Sequence, residues 1–175
     1  MTDSAAGRGV STGGARGAAR WLWLALAAGA LACGLPRDSE GTLDRVRGGE
    51  LRVGVVGEEP PGPEAALVLE LARELDARVV WVPGRAEELA RAAERFEVDL
   101  LAGGWEAGSK LAVGLGVTRP FHTAEGVVEA PGAEPRKVRR VWLVPPGENA
   151  WLLYLDRFLV PRRDEYARLL AEAPR

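Results

Sequence analysis

Cysteine, histidine and methionine each occur once in this sequence, and each scarcity excludes something. With no second thiol, Cys33 has no partner within the chain, so the fold must hold without an internal disulfide. With His122 as the only imidazole, the clustered ligands of a zinc site are missing, and no metal or other cofactor is expected. The same shortage leaves no Ser-His-Asp set. Ser109 stands in Ala107-Gly108-Ser109-Lys110, which is not a nucleophile elbow, and Lys110 follows it directly rather than at the helical spacing of a Ser-x-x-Lys pair. No catalytic constellation is assembled, so an enzyme is not expected. An excess of one charge is lacking too. Lys and Arg total 23 against 25 Asp and Glu, so no global field draws the chain to nucleic acid. There is no internal repeat, and no apolar run reaches the roughly 20 residues that a membrane-spanning helix needs.

What is present begins with an apolar run from Trp21 to Ala32, preceded by Arg8, Arg16 and Arg20 and followed at once by Cys33. A basic start, a short apolar core and small residues before a cut read as a secretory signal. Ala30-Leu31-Ala32-Cys33 resembles the lipobox of bacterial lipoproteins, in which the cysteine sulfur receives diacylglycerol. Leu31 stands one place later than the leucine of that motif. An uncleaved anchor, or a signal cut near Ala32 with Cys33 incidental, is the alternative. This reading gives a signal over 1–32, a tether over 33–42, a folded body over 43–175, and an extracytoplasmic protein held to the membrane by a lipidated cysteine.

The body alternates between two hydrophobic periods. Leu51 to Val56 is a β-rich run ended by Gly57 and the breakers Pro60-Pro61-Gly62-Pro63. From Glu64 the spacing turns helical, with Leu67, Leu71 and Leu75 in one stripe and Pro63 suited to the first turn. Val79 to Val82 is a second strand, the stretch from Ala86 to Phe96 a second helix, and Val98 to Ala102 a third strand ending in Gly103-Gly104. Strand and helix in alternation with brief connections predict right-handed crossovers, hence an α/β lobe with a mostly parallel sheet flanked by helices. Farther on, Val127-Val128 reads as a short strand, Val138 to Val144 as another with Arg139 and Arg140 facing water, and two helices follow over 149–159 and 162–173. Ligands of such sheets bind beyond the carboxyl ends of the strands, here the loops near 58–63, near Pro83 and over 103–110.

Taken in order, Gly49 to Val55, the Pro-Pro loop, Glu64 opening a helix, Val98 to Gly104, and Thr118-Arg119-Pro120-Phe121 resemble the first lobe of the family 3 extracellular solute-binding proteins. Val141 to Asn149, followed by Trp151 to Leu159, is similar to the segment by which that family returns to its first lobe. The resemblance covers about residues 43 to 172. It implies a periplasmic-binding-protein-like fold and a receptor that delivers an amino acid or other small polar solute to an ABC permease. Only residues 122 to 137 occupy the interval where the family inserts a second lobe, so that lobe is lacking. The alternative role is therefore a one-lobe interaction or regulatory module that no longer captures a solute.

The candidate ligand-binding residues are Glu59, Gly103, Gly104, Trp105, Lys110, Thr118 and Arg119. The family's carboxylate-clamping arginine falls near Leu111 by count, so the resemblance leaves Lys110 to supply charge without the guanidinium fork. Glu59 replaces an aromatic platform and suits a ligand ammonium, or is simply solvated. Gly103 and Gly104 mark close backbone approach. Trp105 is placed to stack on a ligand, or to plug the pocket and cover apolar surface, the commoner fate of a lone aromatic. Thr118 and Arg119 lie on the same expected rim. His122 reads as solvent-facing, and Arg136, Lys137, Arg139 and Arg140 as a solvated turn or a patch for anionic headgroups.

Overall fold

The computed structural model describes residues 37–58, 62–126 and 136–172. The signal segment, Cys33, Glu59 and the strand expected at Val127-Val128 lie outside the described residues. In chain order the elements are α1 (Thr42–Val46), β1 (Glu50–Val56), α2 (Gly62–Glu74), β2 (Arg78–Gly84), α3 (Ala86–Glu94), β3 (Leu100–Ala102), a 3₁₀ turn (Lys110–Ala112), β4 (Gly116–Val117), β5 (His122–Gly126), β6 (Arg136–Arg140), β7 (Leu143–Val144), α4 (Asn149–Leu159), a second 3₁₀ turn (Val160–Arg162) and α5 (Arg163–Glu172). One sheet has the order β2-β1-β3-β7-β4, while β5 and β6 form a separate antiparallel hairpin. The pairs β1–β2 and β1–β3 are parallel, and β7 is antiparallel to β3 and β4. The α/β lobe with a mostly parallel sheet is as the two periods predict.

Each face of the sheet has its own core, because side chains alternate along a strand. Leu51, Val53 and Val55 of β1, with Leu100 and Ala102 of β3 and Val144 of β7, meet Leu67, Val68, Leu71 and Ala72 of α2 and Trp151, Leu155, Phe158 and Leu159 of α4. On the other face Leu101 and Leu143 pack with Leu89, Ala90 and Ala93 of α3 and with Trp105, Ala112 and Leu115. Gly54 leaves room there: a Cβ at that position would lie 2.6 Å from Leu101 Cδ2 and 3.0 Å from Leu89 Cδ2.

Three expectations are corrected. The single strand over 138–144 is two, β6 and β7, since the residues between them bond elsewhere: Val141 N donates to Trp105 O at 3.0 Å and Trp142 N to Thr118 Oγ1 at 2.9 Å. A strand at 122–126, unmarked by any apolar alternation, is β5, which pairs from His122↔Arg140 to Gly126↔Arg136. The expected tether is docked from Asp38 onward. Asp38 Oδ1 accepts from Trp151 N at 2.8 Å and its Oδ2 from Leu43 N at 2.9 Å. Glu148 accepts from Ser39 Oγ, Glu40 N and Thr42 N at 2.8, 2.7 and 2.8 Å. Composition alone hid this, because polar residues that read as a linker are also those that satisfy the unpaired N–H groups at helix starts.

Candidate functional site

The turn after β3 is where backbone and side-chain chemistry converge. Gly103 and Gly104 both have positive φ, 97° and 86°, a conformation that a side chain would strain. With both residues turned this way, successive N–H groups point to one side. Glu64, in the first turn of α2 and only 3% exposed, takes them both: Gly103 N donates to Oε2 at 2.7 Å and Gly104 N to Oε1 at 3.0 Å. Trp142 Nε1 donates to Oε2 at 3.2 Å. The carboxylate thus joins α2, the turn after β3 and the segment leading into β7.

Arg140, at the end of β6, donates from Nη1 to Gly104 O and lies against the same turn. The loop beyond is held by β6, with Ala107 N donating to Arg139 O at 2.8 Å. Ser109 Oγ accepts from Leu111 N at 3.3 Å, opening the 3₁₀ turn that carries Lys110.

Two cavities meet at Val56, Gly103 and Gly104, beyond the carboxyl ends of β1 and β3. The larger, about 570 Å³, lies on the side of Trp105, Ser109 and Lys110. The smaller, about 360 Å³, is lined by Glu64, His122, Arg140, Tyr166 and Leu170, among others. His122 meets Tyr166 edge-on with ring centroids 5.3 Å apart. Burial and the neighbouring Arg140 charge push the His122 imidazole below its ordinary value, against an opposing pull from Glu64, so the neutral ring is favoured. Burial, and then the negative charge of Glu64, push the Tyr166 hydroxyl far above its usual range, keeping it protonated as a donor.

Of the residues expected from sequence, Gly103, Gly104, Trp105 and Lys110 come together around the larger cavity. Trp105 is 5% exposed and packed into the second core, and its Nε1 lacks a hydrogen-bond partner among the described residues. It is a wall of the cavity rather than an open stacking platform. Thr118 and Arg119 line neither cavity. Thr118 is buried and paired with Trp142 through its hydroxyl and its N–H, and Arg119 holds Asp156 of α4 from its backbone N and Nε at 2.7 and 3.1 Å. Both therefore fasten the lobe together. Arg140 is corrected from a water-facing residue to a wall of the smaller cavity, and His122 from solvent-facing to half-buried against Tyr166. Glu64 and Tyr166 complete the site. Glu64 carried a signal, an acidic residue just before an apolar helical stripe; Tyr166 carried none beyond an apolar helix face.

No protein-family model matches the sequence, and no curated protein matches it. Solved structures do match in fold. The ancestral amino acid-binding protein AncCDT-1, described as a precursor of cyclohexadienyl dehydratase, is 13% identical with a TM-score of 0.62, over 75% of this chain and 98% of that one. A putative binding component of an ABC transporter from Wolinella succinogenes, complexed with lysine, is 12% identical with a TM-score of 0.57, over 70% and 94%. A mutant of domain 1 of TmArgBP in its arginine-bound form is 17% identical with a TM-score of 0.50, over 72% and 98%. At such identities the likeness is one of fold: a solute-binding-protein-like α/β lobe. The neighbours are mostly binding proteins, and an ancestral cyclohexadienyl dehydratase is among them.

Proposed function

We propose that the protein is an extracytoplasmic solute-binding lobe, held to the membrane through Cys33, whose site is the paired cavities at the Gly103–Gly104 turn. The observation that carries this is the position of that turn, where two clefts meet beyond the carboxyl ends of parallel strands, the place where ligands of such sheets bind. The amino acid-binding proteins among the fold neighbours favour a small polar solute, and the ABC transporter component among them favours a permease as partner. A mutant of domain 1 of TmArgBP was solved in its arginine-bound form, which supports capture by a single domain. Binding rather than catalysis fits the side chains, since Ser109 lines one cavity and His122 the other.

The test is a thermal-shift panel on the full-length protein in detergent, with arginine, lysine and other amino acids at millimolar concentration. A ligand at about 100 times its dissociation constant stabilises by about 2.7 kcal/mol, so a true solute raises the melting temperature by several degrees. No rise with any of them would sink autonomous solute capture. For the anchor, Cys33→Ser should move the protein from the membrane fraction to the soluble fraction, and unchanged retention would speak against lipid attachment.

A second reading has its own observation. Val56 and Leu170, at the rim of the smaller cavity, are 43% and 40% exposed, apolar surface that suits a protein partner in place of a solute. Genes for an ABC permease and its ATPase beside this one favour uptake, and their absence favours the partner protein.

A further inference from the structure

We propose that the Gly103–Gly104 turn is a carboxylate receptor which the chain keeps filled with its own Glu64, so that the wild-type site does not take a solute's carboxylate there. The inference rests on reading the paired cavities as the binding site and specifies what that site accepts. Three observations carry it. The first is geometric: two consecutive N–H donors, set by glycines with φ of 97° and 86°, each meet a different oxygen of one carboxylate. Successive backbone N–H groups in such conformations form an anion-binding concavity. The second is completeness. Trp142 Nε1 supplies a third donor at 3.2 Å, and Tyr166 lines the same cavity as Glu64. A carboxylate that is 3% exposed and met by directed N–H donors is a bound anion in all but its covalent tether. The third is place, since the receptor lies where both cavities meet.

Occupancy by a tethered group is hard for a free solute to match. The side chain is already positioned by α2, so a competing carboxylate must give up its translational freedom and leave Glu64 buried and unpaired. What the site offers instead is Arg140 and the neutral His122 on the wall of the smaller cavity. A solute therefore meets those side chains, and its carboxylate gains nothing from the N–H donors of this turn.

Glu64→Ala removes the tethered anion and leaves its three donors facing a vacated space. Sodium formate and sodium acetate are the probes, with sodium chloride at matched ionic strength as the control, on the full-length protein in detergent. The variant should melt lower than the wild type and regain several degrees, saturably, with formate or acetate, while the wild type shows no rise beyond the chloride control. An equal response in both proteins, or none in the variant, overturns the proposal. If the variant is unfolded at rest, formate should restore its folded circular dichroism spectrum, and failure to do so counts against it equally. A second measurement needs no variant: the ¹⁵N–¹H signals of Gly103 and Gly104 in the wild type should stay in place as formate is added, and movement overturns the proposal. These outcomes are separate from the solute panel. A wild type stabilised by arginine but with Gly103 and Gly104 signals that follow formate keeps its function and loses this inference; the reverse pattern does the opposite.

Discussion

At the scale of single residues, the lobe is held by carboxylates whose oxygens are fully engaged. The Asp99 side chain is wholly buried and accepts from Arg52 N, Nε and Nη2 at 2.9, 3.1 and 2.7 Å and from Arg45 Nη2 at 2.6 Å. Burial alone would raise its pKa, but the hydrogen bonds from Arg52 and Arg45 hold it below the ordinary carboxylate range. Glu148 follows the same pattern: burial raises it, and the N–H groups of Glu40 and Thr42 with the Ser39 hydroxyl outweigh that and lower it. Both folded values lie below the unfolded ones of about 4. The stability they contribute is therefore complete above that pH and is lost as the pH falls through the folded values. The protein should lose stability steeply on acidification below about pH 4, and Glu148→Gln should flatten that slope in urea denaturation followed across pH. Parallel slopes would remove Glu148 from the account. Residue roles were only partly legible in the sequence. The glycine pair could be found because positive φ has a residue signature; Arg140 and Tyr166 could not, because their place beside Glu64 on one cavity wall depends on how the hairpin and α5 pack, which no local spacing encodes.

At the scale of elements, periodicity located α2, α3 and α4 closely because each buries one stripe, and it located β1, β2 and β3 because they are continuous apolar runs between breakers. It failed at β5, whose His122-Thr123-Ala124 start has no alternating apolar face, and at α1, whose five residues are too few to show a period. Both are fixed by long-range contacts instead. Asp38 illustrates the point, since it binds the N–H of Trp151 in α4 with one oxygen and that of Leu43 in α1 with the other. It acts as a helix cap supplied from a distant part of the chain. Asp38→Ala should cost about 1–2 kcal/mol, the usual loss when a capping side chain is removed, read as a lower urea midpoint at unchanged slope. Asp38→Asn, which keeps one acceptor oxygen, should recover part of the loss. A variant as stable as the wild type would mean that water satisfies these donors and that residues before Thr42 are attached only loosely.

At the scale of the whole described lobe, the question is whether two cores make two folding units. The first core is built on Leu51, Val53, Val55, Leu100 and Val144, and the second on Leu101 and Leu143 with α3. The same strands serve both: β3 sends Leu100 and Ala102 to one face and Leu101 to the other, and β7 sends Val144 to one and Leu143 to the other. Neither core can dissolve while the other keeps its strands paired, because losing one face removes the apolar burial that holds β3 between β1 and β7. The tryptophans report on both sides, with Trp142 and Trp151 in the first core and Trp105 in the second. Urea unfolding should therefore be a single transition in which far-ultraviolet circular dichroism and tryptophan fluorescence coincide. Leu101→Ala, a deletion in the second core, should lower the midpoint by both probes together, at a cost of about 2–5 kcal/mol. If Leu101→Ala instead separates an early fluorescence change from a later loss of secondary structure, the face bearing α3 and Trp105 opens on its own. The larger cavity, walled on that side by Trp105 and Ala86, would then be a locally unfolding surface rather than a preformed site.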